Sequence, residues 1–270
     1  MQPLLSYQTL VVDAGHTRVK LARCQQDRLD ELPVAAQSAA FIYDSPIDWK
    51  RVAEWFTSAP PDAVIVTGTN VQRAREVVQG WPTSLPAPVL LVEKTLVPIS
   101  IDVIFPGKVG IDRLLNSVAA NVLRQPDQPV IIVDSGTAIT VDIVDAQGTF
   151  CGGAILPGIL LGAKSLHDET TTLPHVDVWE LLKHEPDILG RCTETAIASG
   201  LYWGHLGAVK ELVNRYSAWL PATALPPLVL LTGGASVILA PYLKGAQRNP
   251  DLSLQGLAVV ARHLGRTPPV

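Results

Sequence analysis

The sequence predicts an α/β protein made of two related domains, and three observations carry that expectation. Short runs rich in Val, Ile and Leu recur: Leu10-Val-Val, Ala63-Val-Ile-Val, Val89-Leu-Leu-Val, Val130-Ile-Ile-Val and Leu228-Val-Leu-Leu. Runs of this kind suit strands buried on both faces of a sheet. Helical patterns alternate with them: Trp49 to Phe56, about Thr193 to Tyr216, and Ile111 to Leu123, whose Leu114, Leu115, Val118, Ala119 and Val122 share one face. Alternating β and α segments mark an α/β fold. The third observation is an internal echo. Residues 10–17 read Leu-Val-Val-Asp-Ala-Gly-His-Thr, and residues 131–137 read Ile-Ile-Val-Asp-Ser-Gly-Thr. Each continues into a second apolar stretch, Val19-Lys-Leu-Ala or Ile139-Thr-Val-Asp-Ile-Val, and then a polar turn, Cys24 to Arg28 or Asp145 to Gly148. The echo predicts two domains, residues 1–123 and 124–270. Each opens with a β-hairpin whose tight turn carries Asp-x-Gly.

Composition sets the outer limits. A chain of 270 residues is long enough for a substantial core. Hydrophobic residues make up 47% and charged residues 17%, against a usual charged share of about 25%, which excludes a disordered chain. Net charge −4 argues against non-specific nucleic-acid binding. The uncharged stretch Tyr216 to Leu243 is the best membrane candidate, but Pro221, Pro226, Pro227, Gly233, Gly234 and Pro241 interrupt it, so no span is expected there. The first eight residues show neither a basic segment nor a long apolar one, and no secretory signal is read in them. Cys24, Cys151 and Cys192 are widely spaced. The expectation is a cytoplasmic protein with no disulfide frame and no zinc site. The histidines show no metal-ligand spacing.

The echoed turns suggest chemistry. A Gly-containing turn between buried strands exposes backbone N–H groups and lets a bulky anion come close. Thr17 and Thr137 add hydroxyls, Lys20 is within reach of a phosphate, and Asp13 and Asp134 can hold a cation directly or through water. Two such turns facing one another would grip a nucleotide's phosphates, the arrangement phosphoryl transfer needs. The alternative is an ordinary hairpin turn in which Asp bonds backbone groups and Gly supplies positive φ. Thr232-Gly-Gly-Ala-Ser after an apolar run leaves space for an adenine or ribose against the backbone. Gly110-Ile-Asp-Arg113 opens a helix. Asp112 there could take the proton of an attacking hydroxyl and Arg113 could pair with a carboxylate or phosphate, or Asp112 could simply cap the helix or complement its dipole. Cys151 to Gly158 reads as a glycine-rich turn, Thr170 to Pro174 as an exposed loop, and Thr193 as either a helix N-cap or a ligand contact.

In this order, these elements resemble type III pantothenate kinase, of the acetate and sugar kinase, Hsp70 and actin superfamily. The carriers are Asp13-Ala-Gly-His-Thr-Arg-Val-Lys20, Gly110-Ile-Asp-Arg113 with Asn116 and Ala119-Ala120, Asp134-Ser-Gly-Thr-Ala138, Gly152 to Gly158, Thr170 to Pro174, Gly190-Arg-Cys-Thr193, Ser199-Gly200, Thr232-Gly-Gly234 and Asp251 to Leu257. The resemblance implies two domains of actin-like, ribonuclease H-like fold, each with a central mixed sheet flanked by helices. It implies ATP-dependent phosphorylation of pantothenate, the first step of coenzyme A synthesis, with Mg2+ and a monovalent cation (K+ or NH4+). It further implies ATP binding by Asp13, Ala14, Gly15, His16, Thr17, Arg18, Val19, Lys20 and Thr137. Pantothenate binding would fall to Gly110, Ile111, Asp112, Arg113 and Thr193, with Asp112 as proton acceptor. Asp134 would sit at the monovalent cation, and the protein would be a cytoplasmic homodimer. The chain departs from the family pattern at His16, Ile111, Val103 and Cys192.

Three rival expectations stand beside this one. Apolar-apolar-Asp-Ser-Gly-Thr is also an aspartic-protease signature, although Ala14 and His16 spoil the first copy. A non-catalytic binding or regulatory relative on the same fold is the second. A kinase for another small hydroxylated acceptor is the third.

Overall fold

The computed structural model describes residues 6–42, 45–91 and 93–266. Residues 1–5 of the leader expectation, and Val92 at the end of the third apolar run, lie outside the described residues. The chain divides into two compact units, residues 1–123 with 251–270 and residues 124–250.

The first unit is built on β1 (Tyr7–Ala14), β2 (Arg18–Gln26), β3 (Val34–Ile42), α1 (Trp49–Glu54), β4 (Ala63–Thr67), α2 (Val71–Gln79), β5 (Val89–Leu90) and α3 (Ile111–Leu123). Its sheet runs β3-β2-β1-β4-β5. The β1–β2 and β2–β3 pairs are antiparallel, and the β1–β4 and β4–β5 pairs parallel. Leu10, Val11 and Val12 of the central strand are wholly buried, as an apolar run without polar alternation requires. Trp55 and Phe56, with Val52 of α1, close one side of this core.

The second unit comprises β6 (Val130–Ser135), β7 (Ala138–Val144), β8 (Phe150–Pro157), α4 (Ile159–Asp168), α5 (Val178–Leu181), α6 (Thr193–Trp219), β9 (Leu228–Thr232), α7 (Ser236–Leu239) and β10 (Gln247–Arg248). Its sheet runs β10-β9-β6-β7-β8, again antiparallel across β6–β7–β8 and parallel across β6–β9–β10. The two sheets therefore share one topology strand for strand: β1 matches β6, β2 matches β7, β3 matches β8, β4 matches β9 and β5 matches β10. The expected class, two related domains with a central mixed sheet flanked by helices, is the one observed.

Three expectations need correction. Cys151 to Gly158 is mostly the edge strand β8 and not a turn, because Gly152 (φ +93°) and Gly153 let it lie close against β7: a Cβ at Gly153 would collide with the Val141 carbonyl. The C-terminal domain was expected to run to residue 270, but α8 (Leu252–Arg266) belongs to the first unit. Leu252, Leu254, Leu257, Ala258, Val260 and Ala261 of α8 are buried. A Cβ at Gly256 would overlap the Leu115 carbonyl of α3, so the two helices cross almost backbone to backbone. Gln255 Nε2 donates to the Pro33 carbonyl at 2.7 Å and Arg262 to Gln26 at 2.7 Å. The third correction concerns turn glycines. Positive φ occurs at Gly148, Gly152, Gly233 and Gly245, and not at Gly15 or Gly136.

No helix among the described residues is long and apolar enough to cross a membrane. The three cysteines are free thiols. Burial, helped by the charge of Asp251, pushes the Cys24 thiol up to about 12.

Candidate functional site

The penultimate residues of β1 and β6 are the two echoed aspartates. Asp13 pairs with Lys20 across the hairpin and with Thr67 at the end of β4. Asp134 pairs with Thr140 and with Thr232 at the end of β9. Directly paired residues point to the same face of a sheet, so each carboxylate shares its face with two polar neighbours. The turns differ by one residue: Gly15-His16-Thr17 joins β1 to β2, and Gly136-Thr137 joins β6 to β7. Both close with the glycine N–H donating to a β2 or β7 carbonyl, Gly15 to Arg18 at 3.1 Å and Gly136 to Ala138 at 3.0 Å. His16, Thr17, Gly136 and Thr137 are exposed, whereas Val19 and Ala14 are buried in the core. Ala14 is wholly buried, backbone included, and Val19 almost so, so the exposed part of the hairpin is its turn.

A Thr-Gly pair completes each turn, one read from the sequence (Thr232-Gly233) and one not (Thr67-Gly68). Thr67 ends β4 and Gly68 follows it, as Thr232 ends β9 and Gly233 follows it. A Cβ at Gly68 would overlap the Ala14 carbonyl, and one at Gly233 would press on Asp134 Oδ1 and the Ser135 backbone. Beyond them, the Asn70 N–H donates to the Ala14 carbonyl at 3.2 Å and the Ala235 N–H to the Ser135 carbonyl at 3.0 Å. The signal was present as Ala-Val-Ile-Val-Thr-Gly against Leu-Val-Leu-Leu-Thr-Gly. In the second unit the turn is also backed by Gly158, whose N–H donates to the Thr137 carbonyl at 3.0 Å and whose missing Cβ leaves room for the Gly136 and Thr137 carbonyls.

The acceptor residues stand at two helix starts. Gly110 precedes α3 and Ile111, Asp112 and Arg113 form its first turn. Ile111 is buried, while Asp112 and Arg113 are partly exposed. A side chain at Gly110 would collide with the Asp112 carboxylate, so that carboxylate folds back over the helix start. Thr193 is the first residue of α6, but it is not the N-cap. Cys192 takes that position and Thr195 closes a capping box with it, the Cys192 N–H donating to Thr195 Oγ1 at 3.1 Å. Thr193 is left exposed beside this cap. Hydrogen bonds from its own N–H and from Cys192 hold the Glu194 carboxyl below the usual range, in keeping with the positive end of a helix. Thus the structure groups Asp13 to Lys20 in one hairpin, Asp134 with Thr137 in the other, and Gly110 to Arg113 at α3. Gly110 to Arg113 belong to the first unit and Thr193 to the second.

Comparison with known proteins decides what these elements belong to. The family model described as type III pantothenate kinase matches residues 9–215. This chain belongs to the type III pantothenate kinase family. A type III pantothenate kinase of Chlorobaculum parvum is 33% identical over 263 residues, covering 94% of each chain. One from Gluconobacter oxydans is 38% identical, covering 93% of this chain and 92% of the relative. A 39% identical match to the enzyme of Paramagnetospirillum magneticum is confined to 158 residues, 58% of this chain and 57% of that one. Among solved structures, a conserved Baf family transcriptional activator from Campylobacter jejuni superposes with a TM-score of 0.59 over 95% of this chain and 99% of its own, at 18% identity, which shows a shared fold. Family membership leaves the aspartic-protease alternative without support.

Proposed function

We infer that this protein phosphorylates the terminal hydroxyl of pantothenate with ATP, in the first step of coenzyme A synthesis. The observation that carries the reading is the extent of the family match, residues 9–215. It spans both hairpin turns, the start of α3 and the start of α6. In this reading the Asp13 to Lys20 hairpin and Thr137 bind ATP through backbone N–H groups, the two threonine hydroxyls and the Lys20 ammonium. Gly136 supports it further. Its φ is not positive, and a Cβ there would meet nothing closer than 3.6 Å. Neither backbone conformation nor packing inside the unit demands glycine, whereas a phosphate lying against the turn does.

Gly110 to Arg113 and Thr193 hold pantothenate, with Arg113 suited to its carboxylate. Asp112 accepts the proton of the attacking hydroxyl. The Lys20 ammonium provides fixed positive charge for the phosphoryl group.

Among the described residues no group of three or more His, Cys, Asp or Glu could hold a metal ion. Asp134 Oδ1 lies beside Gly136 and Gly233, and Thr140, Thr232 and the turn carbonyls add only oxygen donors, the set a hard cation takes. These residues fit K+ or NH4+ at Asp134, where the cation would neutralise phosphate charge. Mg2+ is expected to arrive with the ATP phosphates. Exposed Trp179, Ile188 and Leu189 support a second copy as the cover for this part of the second unit, giving a homodimer. Its cytoplasmic setting is supported by three free thiols.

The test is ADP release with ATP, Mg2+ and K+, with and without pantothenate. Pantothenate-dependent release is expected, and Asp112→Asn should lower kcat roughly a hundred- to ten-thousandfold. No dependence on pantothenate would sink the reading in favour of a binding relative or another acceptor. An unchanged kcat in Asp112→Asn would remove the proposed base.

A further inference from the structure

His205 lies in the middle of α6, twelve residues along from Thr193 and outside every motif named above. Its two ring nitrogens both meet backbone carbonyl oxygens: Nδ1 lies 2.6 Å from that of Leu201, within the helix, and Nε2 3.0 Å from that of Pro157, at the end of β8. Carbonyl oxygens only accept hydrogen bonds and a neutral imidazole carries one N–H, so a neutral ring donates to one of these two carbonyls, and the Pro157 bond belongs to the form with the hydrogen on Nε2. The ring also rests against α4, where a side chain at Gly162 would meet His205 Cε1 at 3.8 Å.

Pro157 is not an arbitrary anchor. It pairs with Ala138 in the β7–β8 register. The next residue, Gly158, gives its N–H to the Thr137 carbonyl at 3.0 Å, and it has no room for a Cβ because the Gly136 and Thr137 carbonyls occupy that space. A chain of contacts therefore runs from the His205 ring through the Pro157 carbonyl and the Gly158 N–H to the Gly136-Thr137 turn.

We propose that His205 is a positioning residue for nucleotide binding: it clamps the β8–α4 corner to α6 and so holds the Gly136-Thr137 turn in the shape that meets the ATP phosphates. This rests on the reading of that turn as nucleotide-binding. Because α6 also begins at Thr193, one rigid helix carries both an acceptor residue and the support of the phosphate turn, about 18 Å apart along its axis.

Two variants test the clamp. His205→Leu keeps bulk against Gly162 and removes the donor; His205→Gln restores an N–H donor. ATP affinity by calorimetry, and the KM values for ATP and pantothenate with kcat, are measured on the full chain. His205→Leu should weaken ATP binding and raise its KM by roughly 3- to 10-fold, the size of one backbone-directed hydrogen bond. The pantothenate KM and kcat should stay within about twofold of wild type, a margin well inside the energy of one such bond, and His205→Gln should recover most of the ATP affinity. Equal ATP affinity in all three proteins would overturn the clamp, as would parallel losses for both substrates, which would mark a merely structural role. Wild-type protein that binds ATP without phosphorylating pantothenate would sink the kinase reading, whereas the affinity comparison would still decide the clamp.

Discussion

The two hairpins share topology, register and supporting Thr-Gly pair, yet they differ at the position opposite the aspartate. In the first unit Asp13 stands opposite Lys20; in the second Asp134 stands opposite Thr140. The first turn is also one residue longer, with exposed His16 inserted before the threonine. A lysine beside a carboxylate leaves that face with a cation to offer an anion. A threonine there adds no positive charge beside the carboxylate and brings a hydroxyl oxygen, a group a cation takes. In the proposed reading both turns would meet the phosphates, the first adding the Lys20 cation and the second adding a place for a neutralising ion at Asp134.

The frame itself gives the largest expected effect. Gly233 sits at φ +83° with Asp134 and Ser135 in the place of a Cβ, and Gly68 is crowded by Ala14 without positive φ. Gly233→Val should destabilise the protein by about 3 kcal/mol or more, as overpacking and left-handed strain add. Gly68→Val carries only the overpacking and should cost about 1–3 kcal/mol. Denaturant unfolding checks both. Equal losses would mean that the two strand ends are equivalent in strain as well as in topology.

Charge divergence is tested next. Lys20→Met should raise the ATP KM about 10- to 100-fold, the range for a charge-assisted hydrogen bond. Asp134→Asn should instead flatten the activation by K+, seen by comparing rates in potassium and in tetramethylammonium salts, with about a tenfold loss of rate in potassium from one charged contact. If both variants shift the same parameter by the same factor, the two turns have not specialised.

Much of this was legible in the sequence because it is local. Ile131, Ile132 and Val133 are wholly buried, and an uninterrupted apolar run states as much. Helix α3 covers Ile111 to Leu123, where the periodicity put it. The aspartates and glycines of the hairpins were visible because they repeat. The role of Gly68 was not, because its partner Gly233 is followed by a second glycine and Gly68 by Thr69, which hid the equivalence of the two Thr-Gly pairs. Nor was the return of α8 legible: Leu254, Leu257, Ala258 and Ala261 declare an apolar face but not which sheet receives it. The capping of α6 by Cys192 and Thr195 escaped notice because a thiol is a weak acceptor, and Thr193 offered the more familiar chemistry.

The smallest expected effect falls on Thr140, the residue that separates the second hairpin from the first. Its Oγ1 is buried and makes no hydrogen bond among the described residues, on the same face as Asp134. Thr140→Val replaces that hydroxyl with a methyl of similar size. If the hydroxyl serves only the fold, removing an unsatisfied buried group should raise stability by up to about 1 kcal/mol and leave K+ activation untouched. If it belongs to the cation's oxygen shell, as the contrast with Lys20 implies, the same stabilisation should come with roughly a three- to tenfold rise in the K+ concentration needed for half-activation, one hydrogen-bond equivalent. A melt alone cannot separate the two roles; the potassium titration does, and an unshifted half-activation point would confine the cation to Asp134 and the backbone.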